Sequence, residues 1–449
     1  MRKQERRAWI CLAIAGVLFV GICIFGYRYV KSGGEWASFY GNSQIYTDGM
    51  LNRGTITDRN DRVLLECTPD GVVYNDSWLI RRATVHAVGD PAGNISSGAI
   101  NIFKSQLIGY DLMNGIYDTS SKGKKIKLTI DSKANAAALE ALGDRTGAVG
   151  VFNWKTGEIV CMVSTPTFDP ADSLPDDDDT PYFFNNFLSG VMTPGSTFKL
   201  VTSAAVIDTV KGRDSFTYDC DGVNTYEKTD FVDVQAHGTV DFREALADSC
   251  NGAFGELTRK VGAKTMREYA DKAGLTEPVT INGVETATGS FDFPADDNVK
   301  LSWAGIGQAD DLVNPCAMMV YMGAIANNGE AIQPTLISSA SFIKEFTGGK
   351  SMGQYLDEGT AQELRSMMKN NVVENYGEEN FAGLDIYAKS GTAETGSWSP
   401  DAWFVGFVDD VDAPYAFVVW VKEGGYGSRV AGPIARSVIM QLEGDNYYD

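Results

Sequence analysis

TPGSTFKLVTSAAVID, residues 193–208, enters through Pro-Gly and then runs apolar on nearly every side, which predicts a helix buried all round. A reactive group in its first turn would sit at the centre of a domain. Ser196 is such a group, and Lys199 follows three residues later, so hydroxyl and amine share one helix face. Free N–H groups and the helix dipole at this end favour a developing anion. A serine hydroxyl is a poor nucleophile until a base takes its proton, and a desolvated lysine of lowered pKa can be that base without histidine. The plainer alternative is a serine that satisfies helix N–H groups beside a snorkelling lysine.

Outward from this helix the chain alternates two textures. KKIKLTIDSKANAAALEALGDRTG gives a short strand, an N-cap at Asp131, and then Ala134, Ala138, Ala141 and Leu142 at helical spacing, so a domain is expected to begin near Ile126. GAVGVFNWKTGEIVCMVS reads as a hairpin around Lys155-Thr156-Gly157. LPDDDDTPYFFNN lacks the spacing, Gly and Glu of a calcium loop and reads as a solvated segment. FREALADSCNGAFGELTRKVG gives two helical stretches broken at Ser249-Cys250-Asn251, and PCAMMVYMGAIANNG gives a second buried helix. IYAKSGTAET, AWFVGFV and APYAFVVWV read as strands, and GPIARSVIMQLEG as a closing helix that starts at Pro433. The class is α+β, an antiparallel sheet flanked by helices. Residues 28–125 show no long helical periodicity and read as a β-rich platform.

Ala8 to Tyr27 are twenty uncharged, mostly apolar positions, enough for one transmembrane helix, and no small-x-small cleavage site follows. Arg2, Lys3, Arg6 and Arg7 precede it, which predicts a cytoplasmic tail over 1–7, a span over 8–27 and an extracytoplasmic remainder. Of 449 residues 44% are hydrophobic, which excludes global disorder, and the net charge of −21 leaves nucleic-acid binding nothing to rest on. Seven cysteines without a CxxC pair fit neither a disulfide scaffold nor a zinc ribbon, and two histidines exclude a His-rich centre. No metal ligand and no cofactor is expected. His237 reads as structural and Cys250 as a buried inert thiol.

Single motifs decide little here. S-x-x-K recurs at Ser121, Ser196, Ser341 and Ser366, and K-[ST]-G at Lys31, Lys155 and Lys389. Ser249 with Asn251 could be an interhelical turn, and Lys389-Ser390-Gly391-Thr392 a hairpin with Gly391 at positive φ. Their order carries the argument: Ser196-Thr197-Phe198-Lys199, then Ser249-Cys250-Asn251, then Lys389-Ser390-Gly391-Thr392, a trio known among acyl-enzyme motifs. The chain thereby resembles the penicillin-binding proteins, serine D,D-transpeptidases of bacterial cell-wall synthesis. RGTITDRNDR (53–62), TPGSTFK, HGTVDFREALADSCN, GIGQ (305–308), KSGTAE and AWFVGF extend the resemblance, and the first is similar to the N-terminal signature of the monofunctional class B subgroup.

The resemblance implies a transpeptidase domain over 126–449 on a platform over 28–125. It implies Ser196 as nucleophile toward a stem-peptide D-Ala-D-Ala terminus and Lys199 as acylation base. Ser249 would relay a proton to the departing amine, and Asn251 would orient Lys199 and the substrate amide. Lys389 would supply positive potential, Ser390 and Thr392 would bind the terminal carboxylate beside Gly391, and the N–H groups of Ser196 and Thr392 would form the oxyanion hole. Expected ligands are stem peptides and, as covalent inhibitors, β-lactams. The segment before Ile126 has no room for a glycosyltransferase domain, so the expected partner is a polytopic membrane glycosyltransferase, with a role in cell shape or division. A D,D-carboxypeptidase or β-lactamase-like hydrolase and a non-catalytic β-lactam sensor or scaffold are the alternatives. Two positions depart from the pattern: Asp61 stands where Gly usually follows Asn, and Asp401 where His is common, so the platform turn and acceptor contacts are expected to differ.

Overall fold

The computed structural model describes residues 2–111, 113, 116–117, 122–172, 175, 179–338, 348–381, 383–411 and 413–446. Ser121, Ser341 and the aspartates at 176–178 lie outside them. A five-stranded antiparallel sheet organises the larger part, in the order Ile159–Thr165, Gly147–Asn153, Tyr415–Val421, Asp401–Val408, Ile386–Ala393. The predicted hairpin and all three predicted strands are present. Alternation along Asp401–Val408 sends Trp403, Val405 and Phe407 into one core and Ala402, Phe404 and Val408 into another, so both faces are covered. One face carries the Pro315–Ala326 helix, every residue of which is buried. The other carries the Ser132–Leu142 and Gly427–Asn446 helices.

Asp131 caps the Ser132–Leu142 helix as predicted, its side chain accepting from the N–H groups of Lys133 and Ala134 at 2.9 and 3.0 Å. The closing helix differs: it begins at Gly427 and contains Pro433 in its interior. A Cβ on Gly427 would lie 2.2 Å from the Trp403 carbonyl oxygen and 2.4 Å from that of Gly391. The helix therefore starts where its backbone lies directly against the sheet, one turn and more before the proline that the sequence reading took as its first residue.

The first helix runs over Arg2–Ala37, and its apolar window is long enough to cross a membrane and, among the described residues, is covered by no other part of the chain. The following segment contains a four-stranded sheet, Gly71–Tyr74, Val63–Thr68, Thr55–Thr57 and Lys125–Lys127, the last pair parallel. It also contains a helix that the sequence reading left out, Trp78–Val88, whose buried positions include Thr84 and His86 and so blur the apolar stripe. Asp61 takes the left-handed backbone (φ 61°) that the usual glycine would adopt freely, and its carboxylate bridges Lys125 and Lys127.

The 53–62 signature ties this segment to the rest. The fully buried Asp58 carboxylate accepts from the N–H groups of Asn60 and Arg62 (2.9 and 2.8 Å), the Arg62 guanidinium (3.1 Å) and the Ser132 hydroxyl (2.6 Å). Asn60 in turn donates to Asp131 at 2.8 Å. Removing the carboxylate strands these donors. Asp58→Ala is expected to cost roughly 3 kcal/mol, read as a lower denaturant midpoint, because a buried charge partner is lost without replacement; an unchanged midpoint would show that the link is dispensable.

Candidate active site

Ser196 lies in a 3₁₀ turn, Gly195–Phe198, that feeds the buried Lys199–Thr209 helix; the α-helix proper begins one turn later than the sequence pattern suggests. Two glycines make the turn possible. Gly195 has φ 54°, and its N–H donates to the Gly307 carbonyl at 2.9 Å; Gly307 has φ 75°, and a Cβ there would lie 2.2 Å from the Gly195 oxygen. This is the structural content of GIGQ. Gly391 is ordinary strand and not a positive-φ turn; a Cβ on it would press Thr197 Cγ2 at 2.8 Å, so its lack of a side chain lets the Ser196 turn approach the edge strand.

The three motifs converge on one hydroxyl. Ser249 Oγ lies 3.2 Å from Lys199 Nζ and 3.0 Å from Lys389 Nζ. Lys199 also donates to the Ser249 carbonyl and, at 2.8 Å, to Asn251 Oδ1, while Lys389 donates to the Ser390 carbonyl at 2.9 Å. Ser249 adopts φ 59°, a strained value for a non-glycine residue of order 1–3 kcal/mol, and that turn points both its oxygens at Lys199. The next residue but one is held equally firmly: the Asn251 N–H donates to Asp233 Oδ1 at 2.7 Å and its amide to the Val232 carbonyl at 2.8 Å.

Both lysines are fully buried. Burial lowers the Lys199 pKa to about 8, opposed by the nearby Asp233 carboxylate, and burial together with the Lys199 charge lowers Lys389 well below its usual range. Two ammonium groups on one hydroxyl repel in this setting, so the pair holds one proton more readily than two, and Ser249 lies between them as a path for its transfer.

Ser196, Ser249, Asn251, Ser390 and Thr392 line one cavity of about 510 Å³, with Lys199 and Lys389 buried behind its wall. Ile386–Ala393 is an edge strand. The Ser390 N–H points off this edge to the Tyr376 hydroxyl at 2.8 Å, and because strand N–H groups alternate in direction, that of Thr392 points off the same edge toward the cavity. Every predicted site residue is thus gathered here. Sequence reasoning missed Tyr376, whose hydroxyl also donates to Ser390 Oγ at 3.0 Å, and Asp233, Trp303, Gln308, Glu394 and Tyr426 of the cavity wall. Tyr376 ends a single π turn, Val372–Tyr376, which no spacing rule announces. His237 also borders the cavity. Asp401 accepts from Trp420 Nε1 at 2.9 Å and the Glu423 N–H at 2.8 Å, and fastens strand ends outside the cavity lining.

Residues 147–440 match the family model described as the penicillin binding protein transpeptidase domain. The peptidoglycan D,D-transpeptidase PbpA of Mycolicibacterium smegmatis is 28% identical over 381 residues, covering 76% of this chain and 77% of that protein. Stage V sporulation protein D of Bacillus subtilis is 28% identical over 361 residues, covering 72% of this chain and 54% of that protein. The penicillin G acyl-enzyme complex of penicillin-binding protein A from M. tuberculosis has the same fold, with a TM-score of 0.73 at 24% identity over 87% of this chain and 99% of that one.

The Lys199 amine is expected to titrate near pH 8, against about 10.5 for a free lysine, in carbon-13 NMR of lysine-labelled protein. The neutral amine is then present above that pH and lost below it. A midpoint near 10 would refute the desolvation account.

Proposed function

The chain belongs to the penicillin-binding protein transpeptidase family, and we propose from this that it is a class B peptidoglycan D,D-transpeptidase acting through a Ser196 acyl-enzyme. One observation carries the assignment of roles: a single hydroxyl, Ser249 Oγ, is held between two buried lysine amines on the wall that Ser196 shares. In acylation the neutral Lys199 amine takes the Ser196 proton as Oγ attacks the carbonyl of the penultimate D-Ala. The N–H groups of Ser196 and Thr392 receive the oxyanion, a contribution of roughly 3 kcal/mol per donor. The tetrahedral species collapses as the C–N bond breaks, the proton passes through Ser249 to the departing amine, and D-Ala leaves. An acceptor amine of a second stem peptide then attacks the ester and restores Ser196. The Ser390 and Thr392 hydroxyls bind the donor carboxylate, Lys389 supplies positive potential from behind the wall, and Asn251 orients Lys199 and the donor amide. A β-lactam follows the first half of this route and stays on Ser196.

Residues 28–125 serve as the platform and 126–449 as the transpeptidase domain, with the Arg2–Ala37 helix anchoring both to the membrane through 8–27 and the basic tail inside. The outward-facing domain works beside a polytopic membrane glycosyltransferase that supplies the glycan. Labelled penicillin, digestion and mass mapping test the core of the reading: the adduct is expected on Ser196 and is absent in Ser196→Ala. A label elsewhere refutes it. Ser249→Ala is expected to keep the fold and lose about 10²–10⁴-fold in acylation rate, the range of a positioned proton carrier. Turnover of a stem-peptide donor with and without an added amine separates transfer from hydrolysis, and labelling without turnover would indicate a sensor.

A further inference from the structure

Beside the cavity, four side chains from separate segments point their donor atoms at one spot. Cys220 ends the Thr217–Cys220 strand, Asp233 follows the Thr229–Val232 strand, His237 precedes the Gly238–Asp241 strand, and Cys250 is the middle residue of Ser249-Cys250-Asn251. Cys220 Sγ lies 3.4 Å from Asp233 Oδ2 and 3.3 Å from His237 Nδ1; Cys250 Sγ lies 3.5 Å from the same Oδ2, which is 4.0 Å from Nδ1. All four donor atoms lie within 4.8 Å of one another. A tetrahedral zinc centre with Zn–S of about 2.3 Å and Zn–N or Zn–O of about 2.0–2.1 Å has edges of about 3.3–3.8 Å, which these separations approach before any ion is added. The side chains of Asp233 and His237 are 2% and 5% exposed, and both cysteines are buried.

The surroundings suit bound thiolates. Asn224 Nδ2 donates to Asp233 Oδ2 at 3.3 Å and to Cys220 Sγ at 3.6 Å, the Ala253 N–H donates to Cys250 Sγ at 3.5 Å, and the Asn251 N–H occupies the other carboxylate oxygen. Two soft sulfurs, an imidazole and a carboxylate in tetrahedral array select zinc over calcium or magnesium. The two pairs of strands that supply Cys220, Asp233 and His237 are two-stranded sheets, a size that is marginal without a cross-link.

We propose that Cys220, Asp233, His237 and Cys250 bind one zinc ion, which clamps the Ser249-Cys250-Asn251 turn to the small sheets at the cavity wall. The four are positioning residues: although Asp233 and His237 border the cavity, they act by fixing Ser249 and Asn251. The site departs from the expectation of no metal because its ligands are twelve or more residues apart at both outer intervals and carry none of the close CxxC spacing by which zinc sites are read from sequence.

The full chain, purified in detergent without chelators, is expected to carry one zinc ion per molecule by elemental mass spectrometry. The chelated protein is expected to take up cobalt with thiolate charge-transfer bands and the visible spectrum of a tetrahedral ion. Cys220→Ser and His237→Ala should abolish that spectrum, and Cys67→Ser, elsewhere in the core, should keep it. Since a ligand variant can fail by misfolding, Asn224→Ala supplies the second test, with metal affinity about 10–100-fold weaker in a protein of unchanged secondary structure. Wild-type protein with neither zinc nor a cobalt spectrum overturns the proposal, as does a Cys220–Cys250 disulfide in its non-reduced peptide map. Penicillin acylation slowed by chelation and restored by zinc supports the clamp, and an unaltered rate overturns that part. Metal content is measured without reference to catalysis, so its failure is distinct from failure of the transpeptidase reading.

Discussion

Two lysine amines, both removed from water, share one serine hydroxyl. That arrangement is unfavourable in isolation, because desolvation and mutual repulsion each oppose charge, and the remainder of the structure can be read as what sustains it. The five-stranded sheet holds Lys389 at its edge and the buried Lys199–Thr209 helix holds Lys199. The strained Ser249 turn is fastened through Asn251 to Asp233 and Val232. Weakening any of these supports would let water reach the amines and return them toward ordinary, fully protonated lysines.

Much of this was legible in the amino-acid order. Alternation predicted the strands, and the all-round apolar character of the Lys199 and Pro315 helices predicted their burial, because both signals are local and periodic. The eight site residues within the three motifs were legible through the order of those motifs along the chain. What escaped was set by tertiary context. The Gly427 start of the last helix depends on a backbone approach to Gly391 and Trp403 that no local rule encodes. The Trp78–Val88 helix buries polar side chains, which hides its stripe. Tyr376 reaches the site from a π turn, and Asp233 from a short hairpin, and neither sits in a recognisable pattern.

The platform shows how a departure from a family pattern can be absorbed. Aspartate in a left-handed conformation at position 61 gives up the ease of glycine, but its carboxylate meets Lys125 and Lys127 on the strand that pairs with Thr55–Thr57. The substitution converts a flexible corner into an electrostatic fastening on the strand that leads into Asp131. Since these groups are largely exposed, that fastening weakens as salt rises.

Tyr376 also bears on the exposed edge of the sheet. An uncovered outer strand is a template for any extended chain, including another copy of the same protein. By occupying the Ser390 amide, the phenol shuts that template on one side and leaves the rung at Thr392 facing the cleft. With that amide taken, the row of free backbone groups along this edge is interrupted, and an extended chain laid against it finds no continuous ladder.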